Sequence, residues 1–227
     1  MKTKILTLIT VLLLPFFTLA QNRLMTVDEA TGMNRALYPA SLSQLKWAGD
    51  AEHFTWVANN SLVRGSVKIT QADTILSLDT LNNRLKKAGI EPLKSFPSIT
   101  YIAPGSFFFT VKGKIIRSDL PLKSVSLLNS YDETAENTDI EQTGWKVAFT
   151  RENNLFIASG GKEIAVTKDE NRGIVNGKTV HRNEFGIEKG TFWSPIGNLL
   201  AFYRMDESMV TEYPLVDISK RIAEVEP

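Results

Sequence analysis

Few residue types in this chain could do chemistry, and most stand in unhelpful company. A serine nucleophile needs an activating base and usually sits on a Gly-x-Ser-x-Gly elbow. That pattern does not occur here: Ser106 in Pro-Gly-Ser-Phe and Ser159 in Ala-Ser-Gly-Gly read as turn serines. Glycoside cleavage needs two carboxylates at a defined separation. Asp132, Glu133, Glu136 and Asp139 do cluster, but the Thr and Asn between them give the texture of a solvated loop. The absence of cysteine removes thiol nucleophiles, disulfides, iron–sulfur clusters and Cys-ligated zinc. The two histidines, His53 and His181, are too far apart in sequence to suggest an imidazole zinc site. No Walker loop or Gly-x-Gly-x-x-Gly follows a strand pattern, so nothing supports a nucleotide site. No residue is assigned a catalytic role, and no metal or cofactor is expected.

What remains is the segment 171–189, which runs Asn-Arg-Gly-Ile-Val-Asn-Gly-Lys-Thr-Val-His-Arg-Asn-Glu-Phe-Gly-Ile-Glu-Lys. Asn176-Gly177, between Ile174-Val175 and Thr179-Val180, is a hairpin signal of the type I′ class. His181-Arg182-Asn183-Glu184-Phe185 then crowds charge beside an aromatic ring. From the residues alone, Glu184 reads as a solvated loop carboxylate. Its place in an insertion between repeated units is what recommends it, because such insertions gather on one face and carry function.

The elements around it are short strands separated by turns. The clearest hairpin is Thr191-Phe192-Trp193, the turn Ser194-Pro195-Ile196-Gly197, and the run 199–203; Ser, Pro and Gly occupy the favoured places of a type I turn. The same layout recurs at 45–57, 99–111 and 138–150, and the last unit continues through strands at 154–158 and 163–167. The central aromatics Trp56, Phe108, Phe149 and Phe202 are spaced by 52, 41 and 53 residues. Four-stranded propeller blades recur at roughly 40–50 residues. The chain is therefore read as all-β, a partial β-propeller of about four blades. The two longer spacings hold insertions at 78–93, with the look of a helical turn or two, and at 171–189. Trp47, Trp56, Phe108, Phe149, Trp193 and Phe202 are assigned to the core between blades.

Composition sets the outer limits. Across 227 residues, 43% are hydrophobic and 22% charged, an ordinary globular balance. Lys and Arg number 26 against 25 acidic residues, so no strong field suggests nucleic acid or acidic lipid as a partner. Residues 1–20 read as a signal peptide: Lys2 and Lys4, an apolar run at 5–19 too short for a membrane span, and small residues ending at Ala20. The mature chain is then exported, periplasmic or secreted, with no membrane attachment. Residues 21–44 form a lead-in, where Thr26 and Glu29 suggest a capping box and a brief helix at 27–33. Residues 45–227 form the propeller.

From Val147 to Val216 the chain resembles the N-terminal propeller of the dipeptidyl-peptidase IV family, within the prolyl oligopeptidase superfamily. The resemblance rests on Ala148-Phe149, on Asn154-Leu155-Phe156-Ile157-Ala158 and on Ile164-Ala165-Val166-Thr167. It is strongest from Val180 through His181-Arg182-Asn183-Glu184-Phe185 to Trp193-Ser194-Pro195, and it continues over 200–210. Within that family the run is most similar to the bacterial prolyl tripeptidyl-peptidases. Residues 21–141 agree in blade layout alone.

The resemblance implies an eight-bladed propeller ahead of an α/β-hydrolase domain with Ser, Asp and His, and cleavage of peptides near an N-terminal proline. It implies that Glu184 is the propeller glutamate that holds the substrate's free α-ammonium group, with Asn183 and Arg182 beside it. Dipeptidyl enzymes generally carry two adjacent glutamates there; Asn183 in the preceding place leans toward the tripeptidyl type or toward weaker amine binding. Arg182 either keeps Glu184 ionised or pairs with Glu188. The expected partners are peptides with a free N-terminus and nearby proline, and the resemblance allows a homodimeric parent. With its end at Glu226-Pro227, the chain reads as a fragment of a serine exopeptidase, inactive by itself. The alternative is a self-standing extracytoplasmic propeller used as a binding module.

Overall fold

A computed structural model describes residues 26–32, 41–180, 184–211, 215–219 and 221–226. The chain divides into two compact units, Met1–Ser41 and Leu42–Pro227. In the first, α1 (Val27–Thr31) is capped as its sequence suggests. The Thr26 side chain accepts from the Glu29 N–H, and the Glu29 carboxylate accepts from the Thr26 N–H, which satisfies two end donors reciprocally.

The second unit begins with three antiparallel four-stranded meanders in succession. The first is β1 (Ser43–Trp47), β2 (His53–Ala58), β3 (Ser61–Ser66) and β4 (Asp73–Ser77). The second is β5 (Thr100–Ala103), β6 (Ser106–Val111), β7 (Lys114–Asp119) and β8 (Ser124–Ser130). The third is β9 (Glu136–Ile140), β10 (Val147–Arg151), β11 (Asn154–Ser159) and β12 (Lys162–Ala165). These are the units that the aromatic spacing marks out.

Strand alternation explains how they pack. In β6, Phe107 and Phe109 point to one face and join Leu62, Leu76, Ile99 and Ile116. Phe108 points to the other and joins Ile115, Val147 and Phe149. A strand buried on both faces reads as a continuous apolar run, and Phe107-Phe108-Phe109 is one. The first insertion folds as α2 (Leu78–Lys87). Ser77 caps it by accepting from the Thr80 N–H, and Arg84, Lys86 and Lys87 complement the C-terminal end of its dipole. Leu81 and Leu85, four apart and therefore on one face, are fully buried in the first cluster.

Two expectations need correction. Trp47 is 58% exposed: β1 alternates outward at Leu45 and Trp47, so this tryptophan is not core. Phe108 and Phe149 are buried, while Trp56, Trp193 and Phe202 are half-buried. The hairpin expected at Asn176-Gly177 does not form either. β13 (Ile174–Asn176) pairs instead with β16 (Arg204–Asp206), from Ile174↔Asp206 to Asn176↔Arg204. Beyond it, β14 (Thr191–Trp193) and β15 (Leu200–Phe202) make the expected hairpin, and β17 (Leu215–Asp217) pairs with β18 (Glu224–Glu226).

Candidate functional site

Tyr203 shows how the fourth sheet is built. Its carbonyl accepts from the Gly177 N–H at 2.8 Å and its N–H donates to the Gly190 carbonyl at 2.9 Å. One residue thus bonds to chain on both sides of the segment 178–189. β13 and β14 are two pieces of a single strand lying along β15 and β16, and 178–189 is an excursion lifted out of it. The insertion does not fall between blades; it interrupts one.

The neck of the excursion is tight. A Cβ on Gly190 would stand 2.1 Å from the Lys178 carbonyl oxygen, so the departing and returning chains are in contact and glycine is required. Gly177 leaves with φ +70°, and a side chain there would also press on Leu155 and Thr150. Behind it, Asn176 is fully buried and donates to the Asn153 carbonyl and to Asp169. Arg204 donates to the same Asp169 at 2.8 Å. The bond from Arg204 first, and then that from Asn176, hold the Asp169 carboxyl below its ordinary range.

Higher up, the Thr179 hydroxyl donates to the Ile187 carbonyl at 3.0 Å. The Ile187 N–H closes a turn on the Glu184 carbonyl, also at 3.0 Å. Residues Glu184–Gly186 form a single 3-10 turn in which Phe185 adopts φ 56°. That conformation is unusual for a bulky residue. Phe185 is 90% exposed and Glu184 is exposed beside it. Of the site residues expected from sequence, Glu184 is therefore presented to solvent in the 3-10 turn of a stitched loop. Asn183 and Arg182 lie outside the described residues, as does the expected leader at 1–20.

Sequence reasoning missed the residues that grip this loop. The acidic segment read as a solvated loop is in part β9, and its carboxylates meet the excursion's two ends. Glu136 approaches Lys178 at 3.3 Å. Asp139 takes Lys189 on both oxygens at 3.1 Å, accepts from the Thr191 hydroxyl at 3.0 Å, and its carbonyl accepts from the Trp193 indole N–H at 3.1 Å. Nothing local in 131–141 marks these residues, because their partners lie some fifty positions later. The adjoining Glu141 is a structural tie. Burial alone would raise its carboxyl, but bonds from Gly144 and Thr143 and the charge of Lys146 outweigh that and hold it below the ordinary range. Among the described residues no group of three or more His, Cys, Asp or Glu could hold a metal ion, and no helix is long and apolar enough to cross a membrane.

Comparison with known proteins gives a consistent result. Residues 106–226, just over half of the chain, match the family described as the dipeptidyl peptidase IV N-terminal region. A probable dipeptidyl-aminopeptidase B of Chaetomium globosum is 40% identical over 90 residues, and the dipeptidyl aminopeptidase B of Saccharomyces cerevisiae 41% over 73. These stretches cover 37% and 30% of this chain, and 10% and 9% of the relatives. A crystal structure of a putative dipeptidyl aminopeptidase IV from Bacteroides ovatus superposes with a TM-score of 0.69 at 40% identity, over 83% of this chain and 26% of that one. The dipeptidyl peptidase 4 of Porphyromonas gingivalis shares the fold, with a TM-score of 0.55 at 24% identity over 91% of this chain and 31% of that one. The chain thus spans about a tenth of the curated relatives it matches.

Proposed function

Because the chain belongs to the family of dipeptidyl peptidase IV N-terminal regions, we propose that it is the substrate-recognition propeller portion of an exported serine exopeptidase, with Glu184 holding the free α-ammonium group of a peptide. The observation that carries this reading is the presentation of Glu184: an exposed carboxylate in the turn of an excursion with a closed neck, beside an exposed aromatic ring. An α-amino group has a pKa of about 7.7–8.0 and is largely cationic at neutral pH, so a carboxylate accepts charge-assisted bonds from it. A carboxylate fixed on a scaffold then sets how far along the peptide a distant nucleophile can act. The nucleophile belongs to another part of the parent, since this sequence carries no Gly-x-Ser-x-Gly elbow. Export is supported by Lys2, Lys4, the apolar run at 5–19 and the small residue Ala20.

The energetics limit what the chain does by itself. One charge-assisted contact is worth roughly 1.5–3 kcal/mol, less than the roughly 4 kcal/mol that millimolar affinity needs. The 227-residue chain is therefore expected to bind peptides weakly and to cleave none. The test compares it with the longest in-frame product of the same locus on Gly-Pro and Ala-Ala-Pro chromogenic peptides, which also reads whether two or three residues are released. Silence from the short chain and proline-dependent cleavage by the long one is the expected result. Glu184→Gln in the long form should raise KM for free N-termini about tenfold to a hundredfold, with little effect on N-acetylated peptides. Turnover by the short chain, or indifference of the long form to Glu184→Gln, would overturn the reading.

A further inference from the structure

On the reading that Glu184 is the working carboxylate, we propose that Asp139 is a positioning residue, which fixes the excursion carrying Glu184 without touching the peptide. The excursion leaves its strand at Lys178 and returns at Lys189, and β9 of the preceding sheet meets both points with a carboxylate. A regular strand could not do this. Glu136 and Asp139 are three residues apart, and strict alternation would send them to opposite faces. β9 contains a bulge: Thr150 pairs with Glu136 and Ala148 with Asp139, so the strand holds one residue more than its partner, and Asn137 takes it up at φ 49°. Asparagine tolerates that conformation better than most residues. The extra residue restores the alternation, and both carboxylates serve the same neighbour. Bulges that re-aim side chains are common next to functional sites.

Exposure separates the two carboxylates. Glu136 is 63% exposed in its side chain, and an ion pair in that setting contributes little. Asp139 is 14% exposed; its carboxylate receives three bonds from the returning chain, two from Lys189 and one from Thr191, and its backbone carbonyl a fourth from Trp193. Replacing its carboxylate with an amide removes the charge opposite Lys189 and one of the two acceptor oxygens. The return leg then loses its register relative to β9, and Glu184, five residues before Lys189, loses a fixed position.

The test uses Asp139→Asn in the longest product of the locus, with hydrogen exchange at the amides of Ile187 and Tyr203, which donate to the Glu184 and Gly190 carbonyls, and peptidase kinetics read side by side. The expected result is exchange about tenfold faster at those amides, unchanged exchange in β10 and β11, and a KM for free-amine peptides raised about tenfold at constant kcat. Unchanged exchange in the excursion would overturn the proposal. Faster exchange with an unmoved KM supports the clamp and places the failure on the role of Glu184. If Asp139→Asn speeds exchange throughout the third sheet, Lys189→Met decides. It leaves the Thr191 and Trp193 bonds in place, and it must still loosen the excursion for the proposal to stand.

Discussion

Strands β5–β12 and the strands around the excursion are built from the same hairpin units but are held by different forces. β6 and β10 each bury four consecutive residues; Phe149 stacks on its cross-strand partner Phe156 at 5.5 Å, and Phe108 meets Trp145 of the next sheet edge-on at 5.1 Å. β13, on the departing side, buries all three of its residues, but β14, β15 and β16 on the returning side bury one among nine, Thr191. Their geometry comes from directional contacts: Lys146 donating to the Gly197 carbonyl at 2.6 Å, Trp193 to Asp139, and Arg204 to Asp169. Apolar burial supplies bulk stability without direction, whereas hydrogen bonds to charged groups fix position at modest net gain. A loop that must present one carboxylate in one place is better served by the second kind of attachment.

The largest effect that tests this contrast is a cavity in the apolar region. Phe149→Ala removes a fully buried ring from the cluster with Phe108, Ile115 and Val147 and is expected to cost about 3–5 kcal/mol, read from the urea midpoint. Phe202→Ala, at a half-buried position in β15, should cost less than half as much. Equal losses would mean that the two regions are not held differently. Next comes Gly190→Ala. The new methyl would collide with the Lys178 carbonyl, which is backbone and cannot swing aside. The neck must spread, at an expected cost of about 1–3 kcal/mol, with trypsin cutting within 178–189 sooner and the far-UV spectrum unchanged. An unaltered cleavage rate would show that the neck is looser than its contacts imply.

The same contrast decides what could be read from sequence. Phe107-Phe108-Phe109 and Val147-Ala148-Phe149 announce buried strands because burial on both faces writes itself into consecutive residues. The turn Ser194–Gly197 is equally local: the Gly197 N–H bonds to the Ser194 carbonyl at 2.8 Å, with Gly197 at φ +67°. Asn176-Gly177 carries a strong hairpin signal, yet the partner of β13 lies almost thirty residues later, and long-range pairing overrides the turn preference. Glu184 is an ordinary glutamate in an ordinary charged run; it stood out through resemblance, and its presentation depends on Gly190 and Tyr203. Asp139 stood in the sequence as one of four clustered acidic residues with nothing to mark its role, because a bulge and a partner fifty residues away are not encoded in the seven or eight residues around it. Trp47 failed for a related reason. Which face of an outer strand is covered depends on its neighbours, and β1 turns Leu45 and Trp47 outward.

The smallest effect concerns Asp169, which ties β13 to β16 at the foot of the excursion. Its folded carboxyl lies below the ordinary value of 3.8 because it accepts from Arg204 and Asn176. A group whose pKa is lowered by folding adds stability that is fully present above its unfolded value and is lost as pH falls through the folded one. Wild type and Asp169→Asn should therefore differ by a constant margin from pH 7 down to about 5, and the margin should shrink as pH falls below 3.8. Salt should narrow it too, since the Debye length drops from about 10 Å at 0.1 M to about 3 Å at 1 M and Arg204 is half exposed. Phe149→Ala, by contrast, should keep its penalty across the same titration, because no charge is involved. Urea midpoints measured at five pH values for the three proteins would separate the two kinds of attachment. A margin for Asp169→Asn that stays constant to pH 3 would mean that shape, and not charge, holds the foot of the excursion in place.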